Sequence, residues 1–172
     1  DLPGGPLHET IPFFHNIEKR LENFHKAVKN DRAGRVSSVK RETESVIKRE
    51  EVMKTIIRLG RQGIIPLRIT HNDTKFNNIL FDTNDKTLCL IDLDTVMPGY
   101  VHYDFGDAIR TAACTTEEDE PDTEKVAMDI EIFRAFATGY LSEAGDTLNQ
   151  AEKEHLALAP ALLTYTMATR FL

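Results

Sequence analysis

Between residues 69 and 82 the chain reads ITHNDTKFNNILFD, and at 90–94 it reads LIDLD. Asp73 stands five residues before Asn78, Asp92 follows on the next apolar run, and Asp94 lies two residues beyond it. These residue types suit phosphoryl transfer. A carboxylate at Asp73 can hold an attacking hydroxyl in line and take its proton. The amide oxygen of Asn78 and the carboxylate of Asp92 are hard oxygen donors. Mg²⁺ prefers such donors, taking one or two from protein and the rest from water and substrate phosphates. Taken singly, each residue has an ordinary reading, because Asn and Asp collect in turns for backbone reasons. The weight therefore rests on Asp73, Asn78 and Asp92 together, at this spacing and between apolar strands. His71 reads as a structural histidine rather than a proton carrier. Lys75 reads as a surface lysine, with steadying of a transferred phosphate as the other reading.

Positioning such a set requires a scaffold, and the pattern around it supplies one. Residues 1–7 (DLPGGPL) are rich in Gly and Pro and read as a linker. Thr10 and Pro12 resemble a helix start, and Phe14, Ile17, Leu21, Phe24 and Val28 then recur at helical spacing. NDRAG (30–34) ends that helix. A second helix is expected from about Val36 to Leu59, with Val39, Val46, Met53, Ile56 and Ile57 inward and a mixed-charge outer face. IIPLRIT (64–70) is extended and leads into the polar loop. NILF (78–81) and TLCLIDL (87–93) read as a hairpin around DTNDK, which would bring Asn78 and Asp92 to one end. In that strand Cys89 reads as a small buried residue. MPGY (97–100) reads as a break, YDFGDAIRTAA (103–113) as a short helix and TTEEDEPDTE (115–124) as an acidic loop. Asp104 and Asp107 at that helix start read as dipole-stabilising caps at least as readily as site residues. Helices are expected at about 124–143 and 151–172, with Pro160 kinking the last one or starting its second half. The fold class is α+β: a mostly helical body with a small hairpin embedded, and without the regular strand–helix alternation of a parallel sheet.

Composition narrows the function. The 172 residues carry 21 Lys and Arg against 28 Asp and Glu, a formal net charge of −7. That balance disfavours nucleic acid and anionic membranes as partners. No apolar run approaches the roughly 20 residues of a membrane span. Two cysteines give no disulfide framework, which fits a reducing, cytoplasmic setting. The chain starts on Asp1 and ends inside a helical pattern, so it is expected to be a piece of a longer protein.

HNDTKFNN is similar to the H-x-D-x-x-x-x-N catalytic loop of the protein-kinase-like superfamily, and the ID of LIDLD to its metal-binding aspartate. His directly before x-Asp resembles aminoglycoside phosphotransferases and choline kinases. The downstream YDFGDAIR looks like a helix start of those enzymes rather than a protein-kinase D-F-G. THNDTKFNNILFD, LIDLDTVMPG and YDFGDAIR together, with ETIPFFHN and TRFL, most resemble bacterial N-acetylhexosamine 1-kinases. The resemblance implies a protein-kinase-like fold and ATP- and Mg²⁺-dependent phosphorylation of the anomeric hydroxyl of GlcNAc or GalNAc. It implies Asp73 as base, Asn78 and Asp92 as metal ligands with Asp94 assisting, and His71 bonding the backbone near the metal aspartate. Arg170, in TRFL, is implied to lie near the sugar.

The resemblance also implies an N-terminal lobe with a phosphate-covering loop and a strand lysine, and this chain contains neither. Residues 8–172 are thus expected to be a C-terminal catalytic lobe, inactive as an isolated fragment. Two other readings stay open: the same chemistry on choline, an aminoglycoside or homoserine, and a non-catalytic kinase-like binding module.

Overall fold

The computed structural model describes residues 7–117 and 120–172. Most of the expected linker and part of the acidic run therefore lie outside the described residues. The first helix, α1 (Ile17–Asn30), begins later than Pro12. Phe13 takes a left-handed φ of 61°, which no helix tolerates, and the Asn16 side chain caps the helix by accepting from Lys19 N–H at 2.9 Å. Asp31, also left-handed, closes it. The expected second helix is divided: a 3₁₀ turn at Val36–Val39, then α2 (Lys40–Met53) and α3 (Thr55–Arg61). Val46, Met53, Ile56 and Ile57 are buried as the periodicity requires, whereas Val39 is half-buried.

Beyond α3 the extended run narrows to β1 (Arg68–Thr70), followed by β2 (Ile79–Phe81) and β3 (Thr87–Leu90). MPGY is not a break. Met97–Gly99 forms β4, which pairs antiparallel with β1. Pro98 is tolerated there because among the described residues the sheet has two strands, each an edge. β2 and β3 form the expected hairpin, but its strands are not buried: Leu80, Phe81, Leu88 and Leu90 are all exposed. Cys89 is exposed too, so its apolar setting in sequence does not become a core position.

The helical body continues with α4 (Val101–Ala112), α5 (Ile130–Ala144), α6 (Gln150–His155) and α7 (Ala159–Phe171). The α5 helix begins at Ile130 rather than 124, because Asp129 caps it by accepting from the Glu131 and Ile132 N–H groups. Ahead of it, Met128 forms a bridge with Cys114. Pro160 lies in the first turn of α7, where its missing N–H costs nothing.

One core is formed by α1, α2, α3 and α7 through Ile17, Leu21, Met53, Ile56, Leu162 and Leu163. A second lies under α4, around Phe105, Ile109, Leu156 and Ala159. Helices α4 and α7 meet at Gly106, where a methyl would stand 2.4 Å from the Ala159 carbonyl oxygen. Glycine is what allows the backbones that close. The β1 strand is tied to α6 by Arg68, which donates to both carboxylate oxygens of the fully buried Glu152, at 2.7 and 2.8 Å. A bidentate, charge-assisted pair of this kind satisfies a carboxylate that could not otherwise be buried.

His102, fully buried on α4, donates from Nε2 to the Glu152 carbonyl at 3.0 Å and leaves Nδ1 without a partner among the described residues. Burial pulls its pKa from 6.5 down to about 4, against the opposing pull of Glu152 and with a small push from His155. The unfolded chain binds this proton first as pH falls, so the neutral ring contributes stability that is present above pH 6.5 and lost towards pH 4. The full contribution is about 3 kcal/mol. Urea titrations of a His102→Gln variant between these pH values are expected to show a decline shallower by about that amount.

Candidate active site

The polar loop begins where β1 ends, and its backbone is held from several sides. Asn72 adopts a left-handed φ of 66°, a conformation Asn tolerates better than most residues. Its amide side chain donates to the carbonyls of Thr70 at 3.2 Å and Thr95 at 3.0 Å, and accepts from Thr70 Oγ1 at 3.0 Å. Thr95 in turn donates its hydroxyl to the His71 carbonyl at 2.7 Å. Sequence alone gave Asn72 no role beyond the turn.

Asp104 is the second residue whose part the sequence hides. The helix α4 is preceded by Tyr100, with no side-chain cap; Asp104 does lie in the first turn, where a carboxylate favours the dipole, but it makes no N-cap bond. The carboxylate turns instead to the loop: Oδ2 accepts the His71 N–H at 2.9 Å and Oδ1 the Asn72 N–H at 2.7 Å. Thr74 adds a bond from its hydroxyl to the Asp104 carbonyl at 2.6 Å. Burial raises the Asp104 pKa, opposed by these two N–H donors. Asp107, one turn on, is buried and accepts from Arg110 at 2.9 Å.

His71 donates from Nε2 to the Ile91 carbonyl at 2.9 Å, since a carbonyl can only accept. Its Nδ1 then accepts from the Asp73 N–H at 3.3 Å. One ring thus links the residue before Asp92 to the backbone of Asp73. Asn78, buried in a 3₁₀ turn at Phe76–Asn78, donates from Nδ2 to the Asp73 carbonyl at 2.8 Å and to Asp73 Oδ2 at 3.1 Å. Its own carbonyl accepts the Ile91 N–H at 3.0 Å, which places Asn78 beside Asp92. Asp92 is left-handed at φ 64° and half of its side chain faces solvent.

Lys75 joins the two carboxylates. Its ammonium lies 3.0 Å from Asp73 Oδ2 and 4.0 Å from Asp92 Oδ2. The bond to Asp73 raises the Lys75 pKa, opposed by partial burial and reinforced by the charges of Asp73, Asp92 and Asp107. Asp94 is exposed in the 3₁₀ turn Leu93–Thr95 and among the described residues makes no bond to the loop. Arg170 is exposed, with its guanidinium 5.6 Å from the Phe171 ring centroid, and among the described residues no hydrogen bond ties it to the loop. Its charge reaches Arg20, whose pKa is lowered by burial and then by Arg170. A groove of about 820 Å³ opens beyond the far end of α4, but none of the candidate site residues lines it.

Asp73 and Asp92, with Lys75 between their carboxylates, are therefore partly open to solvent, while Asn78 is buried and bonds to Asp73 from within. The model of the phosphotransferase enzyme family (APH) matches residues 2–145 of the chain. The chain belongs to that family. Membership carries a protein-kinase-like fold, here α+β with a helical bulk and two short antiparallel sheets. It also carries transfer of a phosphoryl group from a nucleotide to a small molecule as the general activity. No helix among the described residues is long and apolar enough to cross a membrane.

Proposed function

We propose that the full-length protein transfers the γ-phosphoryl group of ATP to a sugar hydroxyl, with C1 of an N-acetylhexosamine as the acceptor position. The observation that carries the transfer chemistry is the Lys75 ammonium between the Asp73 and Asp92 carboxylates, with the Asn78 amide donating to Asp73, on a loop whose backbone is held by Asp104 and His71. The sugar rests on the likeness of THNDTKFNNILFD, LIDLDTVMPG and YDFGDAIR to N-acetylhexosamine 1-kinases.

Asp73 is the residue that orients the acceptor hydroxyl and receives its proton. Its partners Asn78 and Lys75 aim the carboxylate and leave more than a quarter of the side chain open to solvent. Such a group acts by holding the reactants in line and by placing charge where it develops. Lys75, beside both carboxylates, is suited to steady the transferred phosphoryl group.

The donor set fits Mg²⁺. A position where an ammonium lies between Asp73 and Asp92 is one where positive charge is favoured, and Asn78 Oδ1 accepts no hydrogen bond among the described residues. Among those residues no three His, Cys, Asp or Glu side chains converge on a metal position. Asn78 and Asp92 would hold Mg²⁺, with Asp94 as a weaker third, and the bound ion would neutralise charge on the phosphates.

An N-terminal lobe with its own phosphate-binding loop and lysine belongs to this reading, residues 8–172 forming the C-terminal catalytic lobe. The exposed Leu80, Phe81, Leu88 and Leu90 of the hairpin support a further surface packed there, as apolar faces of this size mark contact sites. A cytoplasmic setting fits the nucleotide donor and the two free thiols.

ADP release from the full-length protein with ATP and Mg²⁺ is expected to be fastest with GlcNAc or GalNAc among acceptors including choline, an aminoglycoside and homoserine. A preference for an amine-bearing alcohol would remove the hexosamine reading and keep the chemistry. No ADP release with any acceptor would favour a binding module.

A further inference from the structure

We propose that His15 is a positioning residue of the catalytic loop, holding through its ring N–H the peptide that joins Asn72 to Asp73. The inference rests on the reading of Asp73 as the base. His15 Nε2 lies 2.9 Å from the Asn72 carbonyl oxygen, across 57 residues of chain. Because a carbonyl only accepts, Nε2 carries the proton. Burial lowers the His15 pKa, offset in part by that same bond and by the charges of Asp107 and Asp73, which favours the neutral ring.

The ring is itself held. It packs between Phe14, at 4.5 Å between centroids, and Tyr103, at 4.9 Å. Arg20 reaches back from α1 to donate from Nη2 to the Phe14 carbonyl at 3.1 Å, fixing the turn that presents the ring. The left-handed Phe13 and the Asn16 cap set the direction of that turn.

The consequence falls on Asn72. Asp104 takes its N–H and the two threonines take its side chain, so the tilt of the 72–73 peptide is left to its carbonyl, held by His15, and to the longer bond of the Asp73 N–H. That peptide carries the Asp73 N–H to His71 Nδ1. Freed from His15, the plane can rotate, and the Asp73 carboxylate moves away from Asn78 and Lys75. A buried carbonyl without a partner drives that rotation, since it gains by turning to water. The segment ahead of α1 thus has a share in the geometry of a base 58 residues later.

The test compares His15→Leu with His15→Gln in the full-length protein. The Gln amide can place an N–H near the position of Nε2, whereas Leu fills the space without a donor. We expect Leu to lower kcat by about 10²-fold, as a displacement of around 1 Å does. The KM for ATP stays within about twofold and Gln restores most of kcat. A role in packing alone would let Leu keep the wild-type kcat, or make Gln as poor as Leu, and either result overturns the proposal. A second readout needs no turnover: hydrogen exchange at the Asp73 amide, followed by NMR, is expected to quicken in His15→Leu and not in His15→Gln. Unchanged exchange in His15→Leu overturns the proposal even if the wild-type protein phosphorylates nothing. Absence of wild-type transfer with quickened exchange would instead reject the functional reading and keep the role of His15.

Discussion

With Asp73 replaced by Asn, the full-length protein is expected to lose about 10²–10⁴-fold in kcat, the range a positioned general base supplies. The substitution keeps the size of the side chain and one acceptor oxygen. It removes the charge that Lys75 meets at 3.0 Å and the lone pair that would receive the acceptor proton. Because the loop backbone is fixed by Asp104, His71 and Asn72, none of which changes, the fold is expected to stay intact. The loss should therefore fall on kcat, with the KM for ATP little altered, a pattern that marks an interaction made only in the transition state. Steady-state ADP release measures both. Undiminished turnover in the variant would reject Asp73 as base.

Replacing Asp104 by Ala is expected to have the second large effect, on stability and activity together. Its two carboxylate oxygens satisfy the N–H groups of His71 and Asn72, both of them buried residues. Leaving two buried donors without partners costs roughly 2–6 kcal/mol, at about 1–3 kcal/mol for each. The same loss frees the loop that carries Asp73, so kcat falls in variant protein that remains folded. Asp104→Asn is the informative companion, since it keeps one acceptor and turns a second donor against a donor. Its cost should lie near half that of Ala, and denaturant midpoints will show the order. Equal stability for the wild type and Asp104→Ala would mean that the loop is held without this carboxylate.

The two effects differ in how far the sequence announces them. Asp73, Asn78 and Asp92 are legible because five and fourteen residues separate them along one loop and one hairpin, distances that local structure can bridge. Asp104, Asn72 and His15 are not, because what they do is made by contacts 33, 32 and 57 residues away. A carboxylate in the first turn of a helix looks like a cap in any sequence, and only packing turns this one towards a loop. Asn72 offered the faintest signal, as an Asn beside the base in a place where a left-handed residue would be needed.

Helical periodicity located the body of the fold. The buried faces of α1, α2 and α3 follow from Ile17, Leu21, Val46 and Ile56 as spaced. Boundaries were less legible: a left-handed Phe13 delays α1, and the Asp129 cap delays α5. Strand burial was misread for a physical reason. An apolar run such as NILF or TLCL shows that a surface will be covered, and does not show by what, so Leu80 and Cys89 remain outside the described core. The pairing of Met97–Gly99 with β1 is likewise non-local, and a Pro-Gly pair reads as a break until its partner strand is placed.

The central claim is that this loop directs a phosphoryl group onto a hydroxyl of a small molecule. The most direct measurement is a ³¹P NMR spectrum of the full-length protein with ATP, Mg²⁺ and N-acetylglucosamine. The expected result is a new phosphomonoester signal coupled to the anomeric proton, growing with ADP and absent when Asp73 is replaced by Asn. A spectrum showing ATP unchanged, or only inorganic phosphate, would contradict the account.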